Sequence, residues 1–311
     1  FKKGYSHILE KLKVKNKTIF KFIKNHKKAH SIRRLCGVLG VSKSGFYKQL
    51  NQKETKTYRE KLMILESINK IRKNVHKKAY GAPRLKTELL DSYKIKTTIK
   101  RISKIMREYG IRVNGIKKFK ATSSSSKPPQ NIKENLLKQE FKAERKNQIW
   151  VTDITYIWTK DGWLYLSSIL DLWSKKIIHY EIRNTMDKKL VIDTLEKAYL
   201  KEQPELETII HSDQGSQYTS NDYCKLAEQL KMRQSMSRRG NCYDNAVIES
   251  FHASIKKEMV YLQGVISAKE MKLRVFDYIE GFYNRERLHS ANGNMSPLNF
   301  EKNTKKSCPL Y

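Results

Sequence analysis

Three β-rich runs, followed by alternating helix and strand patterns, constrain the fold of this chain more than any other feature. The runs IWVTDITYIW, WLYLSSILDLWS and KKIIHYEIR begin at residues 149, 163 and 175. The Asp161-Gly162 pair between the first two is a hairpin signal. After them come a helical pattern at 186–203, a strand at 207–213, a helix at 221–232, a short strand at 233–237 and a last helix. This β-β-β-α-β-α-β-α order predicts an α/β fold, a mixed sheet with helices packed on its faces.

Two all-helical units precede the predicted sheet. The first, SIRRLCGVLGVSKSGFYKQL from Ser31, has the pattern of a helix-turn-helix, with Gly40 at the turn and Ser42 capping the second helix. In the second, Pro83 begins one helix, and Gly110 ends another that Thr97 or Thr98 caps. Such units can place a helix in the major groove of DNA, and ordinary helical hairpins are the alternative.

Basic side chains on these helices are candidate DNA contacts. On a duplex they would contact phosphates, which sets the position of the protein rather than reading the base sequence. A solvated helix face is the alternative interpretation. The candidates are Lys43, Arg101, Lys104 and Arg107.

The charge of the chain favours a polyanionic partner. Lysine and arginine number 64 against 31 aspartates and glutamates, which gives a net charge of +33. A Lys-rich proteome would account for only part of this excess, so nucleic acid is the expected partner.

No segment approaches the roughly 20 apolar residues of a membrane-spanning helix. The four scattered cysteines include no C-x-x-C pair, which fits the reducing cytoplasm.

Composition also predicts the domain boundaries. A serine run, two prolines and many charges between the helical and β-rich parts are typical of an interdomain linker. We therefore expect an N-terminal helix-turn-helix unit at 1–55, a second such unit at 56–116, a linker at 117–144, a catalytic core at 145–300 and a tail at 301–311. The chain does not begin with Met, so we expect either a fragment or a continuation from something upstream.

Three carboxylates are the candidate catalytic residues. Asp153 interrupts the first β-rich run, Asp213 ends a short apolar strand, and Glu249 lies on the last helix, thirty-five residues beyond Asp213. Asn245, His252 and Lys256 share the helix face of Glu249 at about 100° per residue, and we expect them to contact DNA. We expect the three carboxylates to converge in space.

Convergent carboxylates repel one another unless cations are present. Oxygen ligands select hard divalent metals, so we expect Mg²⁺, with Mn²⁺ as a substitute. Two such ions about 4 Å apart can hold the attacking and leaving oxygens of a phosphodiester displacement. The carboxylates therefore predict metal-dependent chemistry on a DNA backbone.

Several motifs resemble the catalytic part of an insertion-sequence transposase. The motifs are VTDITYI, HSDQGSQY, DNAVIESFH, YNRERLHS and NMSPLNF. They look like the second-reading-frame protein (OrfB) of the "insertion sequence three" family, which is related to retroviral integrases. The resemblance extends from Ser31 to Phe300 and includes the 35-residue gap of the family.

This resemblance implies an RNase H-like core that binds two Mg²⁺ ions through Asp153, Asp213 and Glu249. It implies that Lys256 contacts the terminal DNA of the element. The expected function is to bind the ends of an insertion sequence, cut them and join them to target DNA. The expected partners are terminal repeats, target DNA, further copies of the chain in a synaptic complex and an upstream OrfA-type protein, in the nucleoid of a bacterial cytoplasm.

Two other functions stay open at this point. The same core could be a nuclease that hydrolyses DNA without joining it, or the chain could be a DNA-binding regulator.

Asp171 is expected to be structural, and the four tryptophans are expected to fill the core. The polar helix end formed by Tyr283, Asn284, Arg285, Arg287 and His289 could have a structural role or could contact DNA.

Overall fold

The computed structural model describes residues 16–27, 29–50, 55–113 and 131–307. They form two compact units, Phe1–Glu66 and Ser67–Tyr311. Most of the predicted second helical unit thus belongs with the predicted core. The first part of the predicted linker and the end of the tail lie outside the described residues.

The first unit contains the predicted helix-turn-helix. Ser31 caps α2 at the N-H of Arg34, and the Oγ of Ser42 accepts from the N-H of Gly45 at 3.0 Å. Gly40 between the two helices has φ of 68°, the left-handed conformation that glycine adopts at little cost. The helices are α1 (Asn16–His26), α2 (Ile32–Val38), α3 (Lys43–Leu50) and α4 (Lys56–Ile71), the last of which extends across the boundary between the units.

The second unit begins with helices whose ends were predicted correctly. A short 3₁₀-helix, His76–Ala79, precedes α5 (Ala82–Tyr93) and α6 (Ile99–Glu108). Pro83 lies in the first turn of α5, and the Oγ1 of Thr98 accepts from the N-H of Arg101. Gly110 follows α6 with φ of 66°.

These helices pack directly against the C-terminal helices of the core. His76 Nε2 lies 3.1 Å from Asp277 Oδ2, and the hydroxyl of Tyr80 accepts from the N-H of Leu288. Arg84 Nη1 donates to Glu258 Oε1 at 3.3 Å. Short helices gain most of their stability from tertiary contacts, and these bonds join this helical part to the core.

The sheet has the predicted order of elements. Its five strands are arranged β3-β2-β1-β4-β5, in which β1, β2 and β3 are antiparallel and β4 and β5 run parallel to β1. The bounds are β1 Ile149–Thr159, β2 Gly162–Asp171, β3 Ile177–Arg183, α7 Lys188–Glu202, β4 Ile209–Ser212, α8 Asn221–Gln229, β5 Arg233–Met236 and α9 Ala246–Ile255.

The main core lies between the sheet, α7 and α8. Trp150 of β1 is fully buried there against Val191 and Leu195 of α7 and Tyr223 of α8. Helix α9 also packs against β1, and this contact positions the candidate site.

Residues 131–144, which the sequence assigns to the linker, are attached to the core. The N-H of Met236 in β5 donates to the carbonyl of Glu134, and the N-H of Leu136 donates to Ser235 Oγ at 2.9 Å. Strand β5 is the edge of the sheet, and an edge strand covered in this way is protected from pairing with another chain. Residues 131–144 have the composition of a linker, but in the structure they cover the edge strand of the sheet.

Two π-helical segments interrupt the C-terminal helices. The first directly continues α9. The elements are the π-helix Lys256–Val260, α10 Tyr261–Gln263, α11 Ala268–Phe276, the π-helix Asp277–Tyr283, the 3₁₀-helix Ser290–Asn292 and α12 Pro297–Ser307.

The polar helix end after residue 282 is mainly structural. The side-chain amide of Asn284 bonds both the N-H and the carbonyl of Ile177. Arg287 forms a buried, two-pronged ion pair with Glu258. Tyr283 is buried, and burial, followed by the charge of Arg287, lowers the pKa of His289 to about 2.

The prediction that all four tryptophans fill the core is wrong for two of them. Trp158 is 51 % exposed and Trp163 is 46 % exposed. They contact each other near the turn of the β1–β2 hairpin, with ring centroids 4.8 Å apart. Among the residues that the structure describes, no helix combines the length and the apolar composition needed to cross a bilayer.

Candidate active site

Asp153 lies in the middle of β1, where its neighbours orient it. Ser168 of β2 is its cross-strand partner. Its Oδ1 accepts from the N-H of Ile154 at 2.7 Å. Side chains of paired residues point to the same face of a sheet, so Asp153 and Ser168 face α9 together.

Asp213 comes directly after β4, in register with Asp153. Val151 of β1 pairs with His211 of the parallel strand β4, and each aspartate lies two residues beyond its member of that pair. Neighbouring strands are about 4.8 Å apart, so this register places the two carboxylates on adjacent strand paths. The turn that follows bends back, and the N-H of Gly215 donates to Asp213 Oδ1 at 2.9 Å.

Glu249 lies in the first turn of α9 and is exposed. Asn245 immediately precedes this helix and is buried, with Nδ2 donating to the carbonyl of Thr152 at 3.5 Å. Because Thr152 is next to Asp153 in the chain, this bond ties the start of α9 to the strand that carries the first aspartate.

The three carboxylates influence one another electrostatically. Burial, followed by the charge of Asp153, raises the pKa of Asp213 to about 6. Although Glu249 is exposed as a residue, partial desolvation of its carboxyl raises its pKa, with smaller contributions from the charges of Asp153 and Asp213. The structure therefore brings together three groups that lie up to 96 residues apart in the sequence. Within the described residues, however, no three His, Cys, Asp or Glu side chains form a closed metal-holding cluster.

His252 is buried beside Asp153. Its Nε2 lies 2.9 Å from Ser168 Oγ, and its Nδ1 lies 3.4 Å from Asp153 Oδ2. The sequence predicts His252 and Asn245 as DNA contacts, but both are buried because α9 packs onto β1. Both contact the strand that carries Asp153, and DNA contact by either residue stays a prediction.

Lys256 begins the π-helix after α9 and is partly buried. Its Nζ lies 4.9 Å from the centre of the exposed Tyr156 ring. Burial lowers the pKa of Lys256, and the charge of Asp153 partly opposes that effect. The predicted phosphate ligand thus lies within the electrostatic range of the acidic group.

The other predicted DNA contacts lie outside this site, on the helical elements. Lys104 and Arg107 are exposed on α6, and Arg101 is partly exposed on the same helix. Lys43 is exposed on α3 of the first unit, with Nζ 6.0 Å from the ring of Tyr47.

Two further acidic residues have structural roles. Asp171 is fully buried and accepts hydrogen bonds from Ser174 and from the N-H of Asn147, as the sequence predicts for a structural carboxylate. Asp244 accepts from Arg238, Asn135 and Gln139. These bonds lower its pKa well below the usual range, with the side chain of Arg238 as the largest cause.

Sequence reasoning missed Ser168, Gly215 and Tyr156. Serine and glycine are too common for their identity alone to indicate a site. A usable signal for Ser168 is its position in the predicted hairpin, since the Asp161-Gly162 turn fixes the register that sets it opposite Asp153.

With this geometry described, the chain can be compared with known proteins. Residues 143–242 and 249–304 match two family models, each described as an integrase core domain, and residues 57–119 match the HTH-like domain family. Transposase InsF for insertion sequence IS3A, from Escherichia coli (strain K12), is 37 % identical over 281 residues, which cover 90 % of this chain and 97 % of that protein. The chain belongs to the IS3 family of transposases.

A second relative of this IS3-family transposase is the 31 kDa protein of insertion element IS600 from Shigella sonnei. It is 38 % identical over 270 residues, covering 86 % of this chain and 97 % of the relative. The transposase is accordingly a DDE-type polynucleotidyl transferase, in which an integrase-type core of RNase H-like α/β fold serves DNA transposition. An HTH-like DNA-binding domain precedes that core.

Solved viral integrases also resemble the transposase. A chain of the simian T-cell lymphotropic virus intasome in complex with PP2A regulatory subunit B56 gamma has a TM-score of 0.42 at 16 % identity, over 71 % of this chain and 70 % of that one. The HTLV-2 integrase catalytic core domain in complex with magnesium has a TM-score of 0.40 at 13 % identity, over 51 % of this chain and 99 % of that one.

Proposed function

We propose that this transposase binds the ends of its insertion sequence, cuts a DNA strand there and joins the freed end to target DNA, with Asp153, Asp213 and Glu249 as the catalytic carboxylates. One observation carries the proposal. Three carboxylates that are remote in the sequence lie close enough for Asp153 to raise the pKa of the other two. A fold gains no stability from gathering like charges, so a functional reason is required.

The residues present fit a divalent cation. All three candidate ligands offer carboxylate oxygens, which hard metals such as Mg²⁺ and Mn²⁺ prefer. Burial, followed by the charge of Asp153, raises the pKa of Asp213 and of Glu249, and a bound cation would relieve the repulsion between these carboxylates. Two Mg²⁺ ions held by Asp153, Asp213 and Glu249 would supply charge stabilisation to a phosphodiester displacement. Because the carboxylates are not closed into a ligand set, the arrival of metal and DNA would draw them together.

The protein's own side chains prepare this site. His252, held by Ser168, fixes the orientation of Asp153. Lys256 is placed to bind a phosphate of the terminal DNA through its ammonium group. Lys104, Arg107 and Arg101 on α6 and Lys43 on α3 would hold more distant phosphates.

The proposed partners follow from the reaction. Two element ends must meet, so the active form is an oligomer of this chain that holds terminal repeats and target DNA. An OrfA-type protein encoded upstream is a proposed partner, and the nucleoid of a bacterial cytoplasm is the proposed location.

An assay with end-containing DNA tests the proposal. The full chain is incubated with a labelled duplex that ends in the terminal repeat, with a scrambled duplex as control, in Mg²⁺, Mn²⁺ or EDTA. We expect metal-dependent cleavage of the repeat-containing duplex only, together with longer strand-transfer products. Cleavage without joined product would identify a nuclease, and binding without either product would identify a DNA-binding regulator. Each of those results contradicts the proposal.

A further inference from the structure

A strongly basic cavity lies in the second unit, apart from the carboxylates. It has a volume of about 490 Å³, and it is lined by five cationic side chains: Arg72, Lys78, Arg112, Lys257 and Arg274. Among the described residues that line it, none is acidic. Arg274 also pairs with Glu270 at 3.4 Å on the exposed side of α11, and this solvent-screened contact offsets little of the local charge.

The helical part and the catalytic part of the unit each contribute one wall of this basic cavity. Arg72, Lys78 and Arg112 come from the segments that flank the HTH-like helices. Lys257 comes from the π-helix that continues α9, and Arg274 comes from α11. Lys257 directly follows Lys256, so one short segment carries a cation beside the carboxylates and another in the cavity.

Arg72 organises the first wall. It donates from Nη1 to the carbonyl of Lys78 at 2.6 Å and from Nη2 to the carbonyl of Arg112 at 3.2 Å. Burial lowers the pKa of Arg72. The guanidinium of Arg72 therefore holds the segments of Lys78 and Arg112 together. This arrangement places their cationic side chains at the same cavity, where they repel one another. Structural need alone would not place five like charges around a void, since their mutual repulsion destabilises the fold.

We propose that this basic cavity binds phosphates of the DNA backbone, on the part of the element end that runs from the carboxylates towards the HTH-like helices. The inference rests on the proposed function and adds to it a second phosphate-binding site. DNA fits better than a small anion because the two walls belong to the DNA-binding and the catalytic parts of one unit. Contacts to phosphates add affinity without reading sequence, and each releases counterions from the DNA.

The salt dependence of DNA binding tests this proposal. The dissociation constants of full-length wild type and of the Lys78→Gln/Lys257→Gln variant are measured from low to moderate salt, in EDTA, with terminal-repeat and scrambled duplexes of equal length. Each lost phosphate contact lowers the slope of log K against log salt by about 0.9, so the double variant should lose about 1.8. Affinity should fall equally for both duplexes, because these contacts do not read bases.

Two further variants control for charge and for folding. Lys189→Gln/Lys225→Gln removes two exposed lysines from α7 and α8 and has the same net charge as the test variant, so its slope should stay close to that of wild type. Lys78→Arg/Lys257→Arg keeps both cations and should restore the slope. An equal loss of slope in both glutamine variants would contradict the proposal, as would an unchanged slope in the cavity variant.

Other outcomes would also overturn the inference. If calorimetric binding of tripolyphosphate is lost in Lys78→Gln/Lys257→Gln while DNA binding is unchanged, the cavity is a site for small polyanions. Because the assay contains EDTA, its result does not depend on cleavage or joining. A chain without transposase chemistry could still show the predicted slopes, so failure of this inference and failure of the proposed function are distinguishable.

Discussion

At the scale of single residues, the candidate site depends on groups that hold the carboxylates in place. Ser168 and His252 lie beside Asp153, and the N-H of Gly215 holds Asp213. The sequence predicts Asp153 and Asp213 as site residues from their positions at breaks in apolar runs, and Glu249 from its position on the last helix. Their supporting residues were not predictable, since a serine or a glycine becomes informative only when its neighbours in space are known.

Gly215→Ala should impair chemistry more than DNA binding. A Cβ at this position would lie 2.9 Å from Asp213 Oδ1, closer than real Cβ contacts. The carboxylate must therefore rotate away, and a displacement of about 1 Å in an active site can cost about 100-fold in rate. We expect the single-turnover rate of strand cleavage to fall by about that factor, with the DNA dissociation constant unchanged. Gly37→Ala is the matched control, because its Cβ would meet no atom within 4 Å in the described structure; equal rates in the two variants would rule out this role.

Ser168→Ala should raise the Mg²⁺ concentration that the cleavage reaction needs. The substitution leaves Nε2 of the buried His252 without its partner, so the ring no longer holds a fixed position against Asp153. We expect the Mg²⁺ concentration for half-maximal cleavage to rise by roughly tenfold, in line with other residues that orient metal ligands. The control is Ser167→Ala, since the buried Ser167 Oγ has no hydrogen-bond partner among the described residues. A metal requirement that shifts equally in both variants, or in neither, would contradict the positioning role.

At the scale of elements, the strands and helices follow directly from sequence periodicity and capping. Thr98 and Ser42 cap helices as predicted, and the hairpin at Asp161-Gly162 joins β1 to β2. The exposure of Trp158 and Trp163 was not predictable, because periodicity gives the face of a strand but not how far the covering helices extend. The structural role of the polar helix end around Arg287 was not predictable either, because it depends on the position of its partner Glu258 in space.

Glu258→Gln should destabilise the second unit. Glu258 accepts from Nε and Nη2 of Arg287, each at 2.8 Å, and from the hydroxyl of Tyr278. Removing one partner of a buried ion pair leaves the other charge unpaired and costs about 3–5 kcal/mol. Urea unfolding followed by tryptophan fluorescence should show this loss at pH 7. Glu270→Gln, which breaks only the exposed pair with Arg274, should cost about 0.5 kcal/mol or less; comparable losses would contradict the account.

The same ion pair predicts a pH dependence of stability. Burial opposes the ionisation of Glu258, but the hydrogen bonds and charge of Arg287 outweigh it and lower the pKa. A carboxylate with a lowered folded-state pKa stabilises the fold above its unfolded pKa of about 4.3, and this contribution is lost as the pH falls. The difference in unfolding free energy between wild type and Glu258→Gln should therefore shrink as the pH falls below about 4. A constant difference between pH 7 and pH 3.5 would show that ionisation of Glu258 does not stabilise the unit.

At the scale of the whole molecule, the sequence predicts a polyanionic partner and a helical part ahead of a catalytic core, but it does not predict the contacts that join the helices after Ser67 to that core. Composition cannot show that His76, Tyr80 and Arg84 bond to the C-terminal helices, because these contacts join residues about 170 to 210 positions apart. Nor can it show that residues 131–144 cover the edge strand. The basic cavity is a product of the same long-range packing.

The most direct test of the central claim is strand transfer by variants of the three carboxylates. Asp153→Asn, Asp213→Asn and Glu249→Gln are compared with wild type and with Asp222→Asn, an exposed aspartate of α8 paired with Lys188. In Mg²⁺, each of the first three should lower the rate of joined-product formation by at least about a hundredfold, while Asp222→Asn stays close to wild type. DNA dissociation constants in EDTA should be similar for all five proteins. Joined product at the wild-type rate from any one of the three variants would show that Asp153, Asp213 and Glu249 do not act as one catalytic site.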